Sequence, residues 1–286
     1  MMADGDVSAR AERSDASTDG SSLDGNLPGQ GAIAELLQAQ ALVPPRSLAA
    51  RVFGMTPLSP ETHAMYRGVV GEIEVGKALD HLGPGWVVLH AVPVEEGAAD
   101  IDHLVIGPAG VFIVATKNHS GHNVWASQRT FIAGGVRYPH IRNMEYEMGR
   151  AERMLSTAAG LGVEVSGILA VVAAKSFVVR EKHRDVAVLQ SFSLVPWLVK
   201  HRRVLDAAEV VRVGRAAALA STWYEAGSEP VQPQRDRASF ELLRSRVRAA
   251  WYTQLAWAIG LSIIAVGTFG WITSSMLLSA LRSFGN

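Results

Sequence analysis

The chain has 286 residues, which is enough for one well-cored domain of common size plus appendages. Its 27 Lys and Arg residues balance 27 Asp and Glu residues, so the molecule as a whole lacks the basic field that favours nucleic-acid binding. The absence of cysteine excludes thiolate catalysis, cysteine-ligated zinc and disulfides.

The first segment, residues 1–30, is acidic and polar. It contains six acidic residues and two arginines, and it has no apolar run of the kind that a secretory signal peptide needs. A segment of this composition buries too little apolar surface to fold alone. We therefore predict a disordered tail and no signal peptide.

A leader segment and a well-marked helix follow. Residues 31–58 mix short apolar stretches with three prolines and predict a leader helix and an irregular arm. Residues 59–83 predict a helix, because Ser59 is a good N-cap and Pro60 suits the first turn. Glu72 shares the three- and four-residue spacing of the apolar stripe of this helix. Its carboxylate should therefore face the core and need a partner.

The centre of the chain alternates predicted strands and helices. Strands are predicted at 86–92, 100–106, 111–117, 123–125, 130–133, 165–172 and 186–189, and helices at 140–160, 193–201 and 207–222. This order indicates an α/β fold of three layers with an antiparallel hairpin at its centre.

The hairpin predicts where charged groups gather. Ile106 and Val111 flank the turn Gly-Pro-Ala-Gly, so pairing them places Asp102 opposite Ala115 and Asp100 opposite Lys117. The two-residue period of a strand puts these four side chains on one face of the sheet. Both strands are otherwise apolar, so we expect the charges to lie at an opening.

The C-terminal region predicts a membrane helix. Residues 249–281 contain no Asp, Glu, Lys, Arg or His, and the stretch 255–278 would form a helix of about 36 Å, enough to cross a hydrocarbon core of about 30 Å. Five arginines precede this stretch and only Arg282 follows it, which predicts a single-pass protein of the cell membrane with its N-terminal domain in the cytoplasm. The same five arginines could contact anionic lipid headgroups.

A carboxylate cluster beside a lysine is the set of groups that metal-dependent phosphodiester cleavage requires. Oxygen ligands hold Mg²⁺ or Mn²⁺, and the ion neutralises phosphate and acidifies a water molecule. The lysine then stabilises developing negative charge. Glu72, Asp102 and Lys117 supply groups of this kind, and the resemblance described next implies nucleic acid as the substrate.

Two motifs carry a resemblance to a known family. GEIEVGKALDHL (71–82) and DIDHLVIGPAGVFIVATKNHSG (100–121) resemble the nuclease-related domain, or NERD, of the PD-(D/E)xK nuclease superfamily, over about residues 68–160. The resemblance implies a restriction-endonuclease-like core with a central mixed sheet flanked by helices. It also implies Glu72, Asp102 and Lys117 as catalytic residues, and we predict Asp102, Glu72 and Asp100 as metal ligands.

Ala115 departs from the family pattern, which has Glu at this position. Three outcomes stay open: Glu72 and Asp100 take over ligation, the metal binds weakly, or the site is inactive. In the last case the protein is a membrane-tethered module that binds nucleic acid or another protein. A purely structural component tethered to lipid by the arginine cluster is a third, weaker hypothesis.

Three histidines near the motifs carry weaker predictions. His103 points away from Asp102 by strand period and is predicted to be a packed structural residue. His119 and His122 are predicted to lie in a solvated loop near the mouth of the site. The predicted organisation is a tail (1–30), an α/β domain (31–224), a linker with a basic juxtamembrane segment (225–248), a membrane helix (249–281) and a short tail (282–286).

Overall fold

The computed structural model of the chain describes residues 22–94, 100–223 and 233–283. These residues form two compact units, one within 1–34 and 65–233 and the other within 35–64 and 234–286. The sequence predicts a single domain over 31–224, whereas the structure groups 35–64 with the C-terminal helix. The reason is a set of contacts, described below, between residues that lie some 200 positions apart in the chain.

The elements follow the predicted order. The helices are α1 (Gln30–Ala41), α2 (Leu48–Val52), α3 (Pro60–Leu79), α4 (His140–Ala159), α5 (Leu194–Lys200), α6 (Ala207–Ala218) and α7 (Pro233–Ser283). The strands are β1 (Val87–Val92), β2 (Ile101–Gly107), β3 (Gly110–Asn118), β4 (Asn123–Ser127), β5 (Thr130–Ala133), β6 (Val136–Tyr138), β7 (Val165–Val172), β8 (Ser176–Val179) and β9 (Val186–Gln190).

The central sheet of the first unit has the strand order β1-β2-β3-β7-β9. The first three strands are antiparallel, and β7 and β9 add in parallel, so the sheet is mixed. The predicted hairpin register is confirmed, since Ile106 pairs with Val111 and His103 with Val114. The described part of the chain is therefore α/β with a mixed central sheet, as predicted.

A second sheet has the order β6-β5-β4-β8. The sequence predicts β4 and β5 but neither β6 nor β8. Strand β6 has three residues, too few to show a period, and the four residues of β8 alternate between exposed and half-buried positions at the edge of the sheet.

Helices cover both faces of the central sheet. On one face, Met144 and Met148 of α4 pack in the same apolar cluster as Leu104, Ile113 and Ala115. On the other face, the side chains that form the cluster come from α3, α5 and the sheet: Val75, Leu79, Val105, Val114, Ile168 and Leu198. The two faces of the hairpin therefore look into different layers, as strand period requires.

Part of the predicted tail is packed, which corrects the boundary at residue 30. Leu23 is buried in the main cluster, and its N–H donates to the Ala218 carbonyl at 2.8 Å. Asn26 Nδ2 donates to the Ala91 carbonyl at 3.0 Å. One apolar side chain and a few backbone bonds suffice to order 22–30, and residues 1–21 lie outside the described residues.

The second unit contains α2 and the long helix α7. Helix α7 begins at Pro233, so 233–248 of the predicted linker is helical and continuous with the predicted membrane segment. Residues 236–276 are long and apolar enough to cross a membrane, and the most apolar part of that span is not buried inside the protein. Among the described helices it alone meets that description.

Candidate functional site

Asp102 lies where the hairpin ladder ends. The last backbone pair between β2 and β3 is His103 with Val114, and beyond it the Asp102 carboxylate, through Oδ2, accepts the Thr116 N–H at 2.6 Å. Burial raises the pKa of Asp102, while the charge of Lys117 and the Thr116 N–H lower it. The carboxylate is thus fixed to β3 by one oxygen and held in a poorly solvated position.

Lys117 and Glu147 interact electrostatically with Asp102. Glu147 lies on α4, three residues after Met144, on the side of the helix that packs against the sheet. Burial raises the pKa of Glu147; the charge of Lys117 lowers it, that of Asp102 raises it and that of Arg150 lowers it. The charges of Asp102, Glu147 and Lys117 therefore influence one another on the α4 side of the sheet.

Glu147 is a candidate site residue that the sequence prediction did not include. A signal was present, because Glu147 falls between Met144 and Met148 in the apolar stripe of its helix, as Glu72 does in α3. The sequence does not show which strand that stripe faces. Only the packing of α4 over β3 and β7 shows that this stripe faces the same side of the sheet as Asp102.

Ala115 occupies the position where the family pattern has a carboxylate. Its side chain is 7% exposed and belongs to the apolar cluster of the α4 face, one residue before Thr116. Within the described residues, no group of three or more His, Asp or Glu side chains is arranged to hold a metal ion. Ala115 therefore supplies no oxygen donor at this position.

Glu72 and Asp100 lie beside residues at the start of helix α1. Glu72 is half-buried, as predicted, but it belongs to α3, which covers the opposite face of the sheet from Asp102. Its Cβ lies beside Gly29, and the carboxylate of Asp100 lies beside Gly31, in the first turn of α1. The backbone ladder between β2 and β3 stops before Asp100 and Lys117, so it does not extend the predicted register to these two residues.

His103 is a packed residue on the α3 face, as predicted. It is fully buried, and its Nδ1 lies 2.8 Å from Nδ1 of His90. Burial lowers the pKa of both rings, most strongly for His103, so both are neutral and one nitrogen donates to the other. This pair supports the β1–β2 contact and lies on the other side of the sheet from Asp102.

His119 is not in a solvated loop, which corrects the prediction; His122 is exposed as expected. The His119 ring packs against Phe131 and His140, at centroid distances of 5.3 and 5.8 Å. Burial, with smaller contributions from neighbouring positive charges including Lys117, lowers the pKa of His119 to about 4 and that of His140 to about 3. Two neutral imidazoles thus border the site on the side of Lys117.

Comparison with known proteins identifies the domain. Residues 67–172 match the family model described as "NERD: Nuclease-related domain". The match contains Glu72, Asp102, Lys117 and Glu147. The chain therefore carries a nuclease-related domain, as the resemblance implied, followed by one long apolar helix near the C-terminus.

Two further comparisons add little. No curated protein matches the chain. A solved structure, "The structure of Pyrococcus Furiosus SfsA in complex with Ca2+", aligns with 14% identity and a TM-score of 0.19. The alignment covers 54% of this chain and 53% of that chain, so it spans about half the length of that protein. A likeness of this size supports no conclusion about function.

Proposed function

We propose that this nuclease-related domain protein is a membrane-anchored phosphodiesterase that cleaves nucleic acid with the help of Mg²⁺ or Mn²⁺. Its site comprises Asp102, Lys117 and Glu147. The proposal is carried by the position of Asp102 and Lys117 at the end of the central hairpin, inside the nuclease-related domain, with Glu147 on the helix that packs against the same face of the sheet. Glu72 and Asp100, which border the start of α1, stay predictions.

The donor set supports a small divalent ion. Mg²⁺ typically keeps several waters and needs only one or two protein carboxylates. Asp102 has one oxygen engaged by Thr116, which leaves Oδ1 and the Glu147 carboxylate as oxygen donors. A bound ion would neutralise phosphate charge and lower the pKa of a water molecule. Its positive charge would also keep both carboxylates ionised despite their burial.

The cationic side chains around the carboxylates suit an anionic substrate. Lys117 acts on Asp102, Glu147, His119 and His140 through its charge. We assign it to hold a non-bridging phosphate oxygen and stabilise the charge that develops on it. Arg150, which is buried near Glu147, adds positive charge to the same region.

The membrane part of the proposal rests on α7. Its apolar stretch follows five arginines and precedes one, so the proposed topology leaves the nuclease-related domain in the cytoplasm at the cell membrane. Tethering would restrict the enzyme to nucleic acid near the membrane surface.

Ala115 favours a second candidate function. A methyl group replaces a ligand at the centre of the site, and this supports a catalytically lapsed domain that binds nucleic acid or a protein at the membrane. Such a module would bind oligonucleotides with strong salt dependence but would not turn them over.

One experiment separates the two candidates. The full chain, Lys117→Ala and Ala115→Glu are each incubated in detergent with single-stranded and duplex DNA and RNA. Each reaction contains Mg²⁺ or Mn²⁺. Cleavage that needs metal and is lost in Lys117→Ala supports the phosphodiesterase. Cleavage only after Ala115→Glu supports the lapsed module. If neither the parent protein nor Ala115→Glu cleaves any substrate, the phosphodiesterase proposal is rejected.

A further inference from the structure

The second unit contains an arm, residues 42–55, whose large apolar side chains face solvent. Five of them are between 56% and 85% exposed: Leu42, Leu48, Val52, Phe53 and Met55. A run of this density is unusual for a surface that meets only water. The short helix α2 lies in the middle of the arm and buries none of its own residues.

The arm contacts α7 at Trp257 and near Ala250. The indole Nε1 of Trp257 donates to the Val52 carbonyl at 2.8 Å, and the Phe53 and Trp257 rings lie 5.4 Å apart. Gly54, at φ +70°, rests on the Ala250 carbonyl, where a Cβ would come within 2.6 Å of the carbonyl oxygen. The glycine therefore allows the close approach of the two backbones.

Trp257 is the third residue of the apolar stretch 255–278, so the attachment lies at one end of the segment that would cross the membrane. Tryptophan is enriched at this level of a bilayer, where its ring is apolar and its N–H is polar. A bilayer that covers the exposed side chains of α7, such as Leu255 and Ile259, must meet the arm at the same height.

Basic residues flank the apolar side chains of the arm. Arg46 donates to the Met55 carbonyl at 2.7 Å, and Arg51 is exposed at the end of α2. Arg246 and Arg248 are exposed on α7, two to three turns before Trp257. Positive groups in this position suit lipid phosphates, with long side chains reaching from apolar stems to the headgroups.

We propose that the arm is a second membrane-binding element, which inserts Leu48, Val52 and Phe53 into the headgroup and outer acyl region of the bilayer beside α7. The inference rests on the membrane anchoring of the proposed function, but not on nuclease activity. A bilayer is the occupant because the arm continues the apolar surface of a helix that lipid itself covers. An element of this kind lies in the interface and does not span it.

The chain offers a clean test because it has no native cysteine. Single variants Leu48→Cys and Phe53→Cys are spin-labelled in the full chain and reconstituted into vesicles of phosphatidylcholine and phosphatidylglycerol. Collisions with oxygen and with a water-soluble nickel chelate then report depth. Val266→Cys, in the middle of the apolar stretch, and Gln128→Cys, exposed in the turn after β4, are the lipid and water references.

We expect both arm labels to gain oxygen collisions and lose nickel collisions relative to Gln128→Cys, at depths between the two references. If the arm labels behave like Gln128→Cys while Val266→Cys lies in lipid, the arm does not insert into the bilayer. That result would overturn the proposal for the arm but not the membrane anchoring by α7. If Val266→Cys also behaves as a water site, both ideas fail. Arm labels shielded from both reagents would mean that a protein covers the arm, which also overturns the proposal.

Discussion

The carboxylate of Asp102 accepts the backbone N–H of Thr116 at 2.6 Å, at the point where the ladder between β2 and β3 ends. A side chain here replaces a strand–strand hydrogen bond, so a charged group closes the hairpin and also faces the candidate site. The same group therefore affects both stability and chemistry, and suitable substitutions separate the two.

Asp102→Asn and Asp102→Ala should differ in stability but not in activity. Asn keeps an acceptor for Thr116, whereas Ala leaves that buried N–H unpaired, at a cost of about 1–3 kcal/mol. Because the pKa of Asp102 is raised in the folded protein, the charged carboxylate opposes folding once the pH has risen through that pKa. Asp102→Asn should therefore have a higher melting temperature than the parent at neutral pH. Thermal unfolding and cleavage assays on both variants test this. Equal melting temperatures for Asn and Ala would contradict a role for the Thr116 bond.

Glu147→Gln should weaken Mn²⁺ binding and abolish metal-dependent cleavage. We expect a loss greater than the roughly 10- to 100-fold that removal of an outer-shell partner costs, because Gln removes a charged ligand. Glu145→Gln is the matched control, since Glu145 lies on the same helix but is exposed and pairs with His183 at 3.1 Å. Calorimetric titration with Mn²⁺ measures both. Equal affinities for the two variants would remove Glu147 from the site.

Ala115→Glu should increase Mn²⁺ affinity. The new carboxylate would lie on the α4 face with Asp102 and restore the ligand of the family pattern. The same position is nearly buried, so we also expect a loss of stability from the larger, charged side chain. Titration of Mn²⁺ into the parent, Ala115→Glu and the Ala115→Glu/Asp102→Ala double variant measures the effect. Binding that survives in the double variant would place the ion elsewhere.

His119 and His140 should make the protein sensitive to acid. Their folded-state pKa values, about 4 and about 3, lie below the ordinary value of 6.5, so the unfolded chain takes up protons first as pH falls. Stability is then full above about pH 6.5 and declines toward pH 3. One proton corresponds to about 1.4 kcal/mol per pH unit, and partial exposure of both rings reduces this.

His119→Phe and His140→Phe should flatten that decline, because a phenyl ring fits beside Phe131 and Tyr138 and does not titrate. Melting temperatures between pH 7 and pH 4.5 provide the measurement, with His122→Phe as an exposed control. If melting temperature falls with pH equally in the parent and in both variants, the acid sensitivity does not come from His119 and His140.

Gly54→Ala should detach the arm from α7. The new methyl group would meet the Ala250 carbonyl oxygen, and φ +70° adds strain of about 1–3 kcal/mol. Loss of the contact should speed trypsin cleavage after Arg51. Gly83→Ala, where no atom lies within 4 Å of the added carbon, is the control. Unchanged cleavage in Gly54→Ala would show that the glycine is not needed for the attachment.

The sequence by itself determined most of the elements, the hairpin register and the long apolar helix, but not the short strands β6 and β8. Each depends on local information: a two- or three-to-four-residue period, a four-residue turn between Ile106 and Val111, or an uninterrupted run without charge. The pairing of Ile106 with Val111 also places Asp102 and Ala115 on one face of the sheet. That part of the candidate site could be predicted without the tertiary structure.

Only the tertiary structure decided which distant side chains meet. Glu147 and Asp102 are 45 positions apart, and Val52 and Trp257 are 205 positions apart, so no spacing in the chain records the electrostatic interaction of the first pair or the hydrogen bond of the second. The period of a helix shows that Glu147 lies on the inner face, but the docking of α4 onto β3 and β7 chooses its neighbours. For the same physical reason, only the packing shows that the Asp100 carboxylate lies beside Gly31, in the first turn of α1.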